Sequence, residues 1–142
     1  KEGINLAIGT DGPASNNCLD MFREMFLVTA LAKYRENDAS AVDALEVLKM
    51  ATIGGAKAMN LTDCDVLAEG KEADIIMIDL NQPNMQPIHN IQKNLVYSGS
   101  KQNVKLTMVA GKILYENGEF FIGTDAYKIY EKANDIAERI VK

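Results

Sequence analysis

The stretch INLAIGTDGPASNN, residues 4–17, is where residue types and order could do chemistry. A nearly continuous apolar run delivers a single carboxylate, Asp11, to what reads as the end of a buried strand. At a strand tip a carboxylate can ligate a metal ion and exchange a proton with a water held there. Asp-Gly is also a common turn pair, so Asp11 could simply order a loop. Other metal-ligating chemistry is sparse. There is one histidine, His89, and the two cysteines, Cys18 and Cys64, have no C-x-x-C spacing and read as reduced, packed thiols. A catalytic zinc generally needs three protein ligands, usually with several histidines among them. Whatever metal chemistry the chain joins, it cannot build the site alone.

Positioning Asp11 requires a strand before it and a helix after it. Residues 4–8 predict the strand, Pro13 breaks it, and Ser15, Asn16 and Asn17 are candidate helix caps that would hold the Asp11 loop. Gly9 and Gly12 would give that loop backbone freedom, and Thr10 would donate a supporting hydrogen bond. Leu19, Phe22, Met25, Phe26, Thr29 and Ala32 recur at helical steps through about residue 34. This Met- and Phe-rich helix could pack on a barrel or serve as a subunit contact in a homo-oligomer.

Ser40 and Asp43 resemble a capping box for a second helix running to about residue 53, where Gly54-Gly55 should interrupt it. From Asp65 the character changes. EGKEAD reads as a solvated turn leading into a strand at residues 74–79, and QPNMQPIHN as a loop too polar for core, with His89 at the surface or in an interdomain hydrogen bond. Strands follow at residues 104–109, 112–115 and 119–121, joined by tight turns at Ala110-Gly111 and Asn117-Gly118. Thr124-Asp125 can cap a last helix whose Tyr130, Ala133, Ala137 and Ile140 form one apolar stripe, suited to core or docking.

The 142 residues are 47% hydrophobic, enough for a folded core. The net charge of -5, with basic residues scattered, argues against nucleic acid as a partner. No apolar run approaches the roughly 20 residues needed to span a bilayer and no signal-peptide cleavage pattern is visible, so a cytoplasmic, membrane-free protein is expected. One parallel strand cannot satisfy its own N–H and C=O groups. The economical expectation is that these residues are the C-terminal part of something larger.

GTDGPASNN, then ATIGGAKAMN, EGKEADIIMIDL and NLVYSGSKQNVKLTMVAGKILYENGEF resemble successive landmarks of the amidohydrolase superfamily. The similarity is greatest to the branch of methylthioadenosine/S-adenosylhomocysteine deaminases and triazine chlorohydrolase-like enzymes. The resemblance implies a mixed α/β and β fold: residues 1–62 as the last βα unit and helices of a (β/α)8 barrel, 63–122 as the C-terminal part of a composite β-sandwich, and 123–142 as a terminal helix. It puts Asp11 on the strand-eight aspartate, as metal ligand and as catalytic base and then acid. The cofactor implied is one divalent ion, zinc or iron, whose remaining ligands lie outside this chain on an upstream barrel segment of the same protein. The substrate implied is a small purine nucleoside-like molecule hydrolysed at a C–N bond. The alternatives are a chlorohydrolase or other cyclic C–N hydrolase of the same superfamily, or a non-catalytic interaction module. On the family reading this chain by itself is inactive.

Overall fold

The computed structural model describes residues 3–141 as a helical layer, a four-stranded antiparallel sheet and a projecting last helix. The first helix, α1 (Met21–Glu36), buries Phe22, Met25 and Thr29, spaced to share one face. It ends at Asn37, which takes the left-handed conformation (φ 50°) common at helix C-termini. Helix α2 (Ala44–Ala51) starts at Asp43, whose side chain accepts a hydrogen bond from Leu45 N. The expected Ser40–Asp43 box does not form. Ser40 instead donates from its N and Oγ to Asp38 Oδ1 at 2.8 and 2.7 Å, holding the Asp38 carboxyl below its ordinary pKa.

The chain breaks at Thr52, and α3 (Ile53–Ala58) contains the Gly54-Gly55 pair that was expected to stop a helix. A further helix, α4 (Ile91–Tyr97), was not expected from the sequence. Asn90 caps it by accepting from Lys93 N at 3.0 Å. Its Val96 joins Phe22, Met25, Ala44 and Val47 in one buried cluster, with Ile8, Ile78 and Val104 packed at the edges. Burial of side chains such as Val47 and Val96 stabilises by about 1.5–3 kcal/mol each. Two polar links tie the same elements: Lys33 Nζ donates to Tyr97 Oη at 2.7 Å, and Asp20 Oδ2 accepts from Lys101 N at 3.4 Å.

Strands β1 (Ile75–Ile78), β2 (Val104–Val109), β3 (Lys112–Glu116) and β4 (Glu119–Phe120) pair in chain order, all antiparallel. Both hairpin turns place their two central residues at positive φ, Ala110 and Gly111 in one and Asn117 and Gly118 in the other, matching the twist of the flanking strands. The segment expected to be a polar loop instead folds inward. Pro83–Met85 make a 3-10 turn, Met85 is fully buried, and Asn94 Nδ2 donates to the Met85 carbonyl at 2.8 Å. Asp79, at the end of β1, has its carboxyl pKa lowered by hydrogen bonds from the Gln82 side chain and Asn81 N, and by Lys105.

Much apolar surface stays uncovered. The accessible area is 10567 Å², against about 7,200 Å² expected of a compact monomer of this size. Ile76 and Met77, adjacent in β1 and so on opposite sheet faces, are 54% and 57% exposed. An antiparallel sheet with one solvated face would alternate apolar and polar residues, which β1 does not. Helix α5 (Ala126–Val141) begins after Asp125, whose Oδ1 accepts from Tyr127 N at 2.9 Å, and has no buried residue. Its stripe is therefore not core within this chain. No described helix is long and apolar enough to cross a membrane.

Residues 4–8, expected as a strand, take no regular secondary structure and form no ladder with any described strand. They lie against α2 and α3: Ile8 N donates to Met50 O at 3.1 Å and Asn5 Nδ2 to Gly54 O at 3.0 Å. Gly54 permits that approach, because a Cβ there would run into the Leu6 carbonyl oxygen, whereas one at Gly55 would meet open space. Gly54→Ala should lower the stability of the intact protein by about 1–3 kcal/mol. Gly55→Ala should be neutral or raise it by up to ~1 kcal/mol. Thermal unfolding of the two variants side by side is the check, and equal shifts would count against the close contact.

Candidate functional site

The segment expected to be a strand leads directly to Asp11. Asp11 adopts φ 57°, the left-handed region, which Asp tolerates better than most residues. Neither Gly9 nor Gly12 has positive φ. The conformational freedom expected of the glycines is thus used by the aspartate itself. Thr10 Oγ1 donates to the Asp11 carbonyl at 3.1 Å, steadying the backbone rather than the carboxylate.

The Asp11 carboxylate is exposed, and Oδ1 accepts from Gly12 N at 2.7 Å. Among the described residues Oδ2 accepts no hydrogen bond. One oxygen is thus held and the other is left open for a ligand or a proton.

Beyond Asp11 the loop closes on itself. The Gly12 carbonyl accepts from Ser15 N at 3.0 Å and from Asn16 N at 2.9 Å. The Asn16 side chain donates from Nδ2 to Glu24 Oε1 at 2.7 Å and accepts at Oδ1 from Cys18 N at 3.1 Å. None of Ser15, Asn16 and Asn17 caps the helix. The cap is Asp20, which is buried and whose Oδ1 accepts from Phe22 N at 3.0 Å. The expected caps are displaced because the turn at 12–16 consumes those residues before the helix begins. An Asp two residues before Phe22, where the buried face of the helix begins, was the available signal for the true cap.

The donor set fits a metal site only in part. No group of three or more His, Cys, Asp or Glu side chains that could hold an ion occurs among the described residues. Asp11, with one carboxylate oxygen free, suits a single ligand of a shared site. His89 is exposed in the segment preceding α4. Both cysteines are free and partly buried. Burial pushes the Cys64 thiol pKa up, and a hydrogen bond to Asp74 with nearby carboxylates adds to it, so Cys64 is a poor nucleophile.

An exposed carboxylate with one open oxygen precedes the helices and the small antiparallel sheet, and the chain belongs to the amidohydrolase family, whose model matches residues 1–114. It matches the C-terminal part of its relatives. Among them, 5-methylthioadenosine/S-adenosylhomocysteine deaminase 1 of Archaeoglobus fulgidus is 41% identical over 140 residues, which are 99% of this chain and 33% of that protein. Among solved structures, an adenosine deaminase from Xanthomonas campestris with bound zinc superposes with a TM-score of 0.91 at 40% identity, covering 96% of this chain and 31% of that one. An atrazine chlorohydrolase from Arthrobacter aurescens complexed with zinc gives 0.78 at 28% identity, covering 94% and 30%. The chain thus spans about a third of the length of the proteins it matches.

Proposed function

We propose that this chain is the C-terminal third of a metal-dependent amidohydrolase that removes ammonia from an adenosine-type substrate, S-adenosylhomocysteine or methylthioadenosine, with Asp11 as metal ligand and proton carrier. The observation that carries the proposal is the Asp11 carboxylate, held at one oxygen by Gly12 N and open at the other, in a chain 41% identical to a deaminase of that name.

In hydrolytic deamination a C–O bond forms from water, the C–N bond breaks and ammonia leaves. Asp11, with upstream residues, would hold a divalent ion, zinc or iron, which would supply Lewis acidity and ease the deprotonation of water. Within this chain, Asp11 accepts the proton released from water and returns it to the departing nitrogen, a base and then an acid. Gly12 N keeps the carboxylate aimed during both transfers.

The same proposal assigns residues 1–62 to the end of a (β/α)8 barrel, 63–122 to a composite β-sandwich and 123–142 to a terminal helix. It offers an occupant for two of the uncovered surfaces. Upstream barrel strands would pair with residues 4–8, and other sandwich strands would cover Ile76 and Met77. The unpaired cysteines are consistent with a cytoplasmic setting.

Ammonia release by the zinc- or iron-loaded full-length protein from S-adenosylhomocysteine and methylthioadenosine tests the substrate class, with the isolated 142-residue chain as blank. Release by the full-length protein alone is expected. Chloride release from a chlorotriazine with no ammonia release would transfer the proposal to dechlorination. Turnover by the isolated chain would overturn the shared-site account.

A further inference from the structure

We propose that Asn16 is a positioning residue for Asp11, an inference that rests on the catalytic reading of Asp11 given above. Asp11 takes the left-handed conformation, which persists where the surrounding structure holds it. A continuous path of hydrogen bonds ties it to α1. Asp11 Oδ1 accepts from Gly12 N (2.7 Å), the Gly12 carbonyl accepts from Asn16 N (2.9 Å), and Asn16 Nδ2 donates to Glu24 Oε1 (2.7 Å) in the first turns of α1. The other end of the Asn16 amide accepts from Cys18 N at 3.1 Å.

Residue type at 16 follows from those bonds. The side chain must donate to a carboxylate and accept from a backbone N–H at once, which Asn does and neither Asp nor Ala can. Helix capping does not account for it, because Asp20 performs that task. Asn16 therefore fastens the loop that carries Asp11 to a rigid element, leaving α1 intact if it is lost.

The test uses the intact parent protein and two readouts, ammonia release and zinc affinity by competition with a chromophoric chelator. Asn16→Ala should lower kcat and weaken zinc retention, each by about tenfold to a hundredfold, the usual effect of removing an outer support of a metal ligand. KM should stay near the native value. Asn16→Asp, facing the Glu24 carboxylate, should be at least as damaging. Adding Glu24→Gln to Asn16→Asp restores a donor–acceptor pair of reversed polarity and should recover most of the loss, which keeps the test alive should Asn16→Ala fold poorly. Native kcat and native zinc affinity in Asn16→Ala would overturn the proposal, as would no recovery in the paired variant. Should Asp11→Asn leave turnover unaffected, the reading of Asp11 fails instead; if Asp11→Asn abolishes turnover while Asn16→Ala is native, only the role of Asn16 falls.

Discussion

Asp11→Asn in the intact parent protein should lower kcat by about 10²–10⁴-fold, the range lost with a general acid–base group, while leaving the melting temperature near that of the native protein. The substitution is nearly isosteric, and the amide oxygen can still accept from Gly12 N, so the turn at 11–12 keeps its bond. What is lost is the negative charge and the capacity to take up and release a proton. Among the described residues no other group hydrogen-bonds the carboxylate, so none is stranded by the change. Steady-state kinetics and a melting curve on the same sample separate the two effects. A native rate would remove Asp11 from the mechanism, and a collapse in melting temperature would make its role structural.

Asn103→Ala should be the opposite kind of variant, costing about 2–4 kcal/mol of stability while activity per folded molecule holds. Asn103 is 1% exposed and sits where the end of β1, the 3-10 turn at Pro83–Met85 and the start of β2 converge. Its Oδ1 accepts from Asn84 Nδ2 at 2.8 Å and Ser100 N at 2.9 Å, and its Nδ2 donates to Asn84 Oδ1 at 3.2 Å and the Asp79 carbonyl at 3.4 Å. Truncation leaves the Ser100 N–H without its partner and opens a small cavity beside it. Asn84→Ala removes bonds from the same network, but Asn84 is exposed and water can replace it, so its effect should be markedly smaller. Denaturant or thermal unfolding ranks the pair, and equal effects would contradict the burial argument.

The features legible in the sequence are those set by local chemistry. The Asn117-Gly118 pair announces a hairpin turn, β2 runs over the residues its apolar pattern predicts, and the three- and four-residue spacing of Phe22, Met25 and Thr29 marks α1. What stayed hidden depends on partners distant in the chain. Helix α4 is only seven residues long, and it is held by Val96, which reaches the Phe22–Val47 cluster. Met85 lies in a proline-bearing polar stretch, and its burial comes with the packing of α4 and the Asn94 bond. The Gly54-Gly55 pair reads as a helix stop, yet Gly54 is needed for close approach to Leu6.

At the proposed site, Asp11 stands out in the sequence by its place after an apolar run. The Asn16–Glu24 link could not, because it spans eight residues and forms only once the 12–16 turn has folded. The strand expected at residues 4–8 is a different case: its sequence supports extended structure, but a ladder needs neighbouring strands that these residues cannot supply.

The most direct measurement of the central claim is the location of the metal by anomalous scattering in crystals of the full-length protein grown with zinc. The account predicts a peak about 2.0–2.2 Å from an Asp11 carboxylate oxygen, with the remaining ligands from upstream residues. A fully occupied metal site that leaves Asp11 out of coordination distance would contradict it.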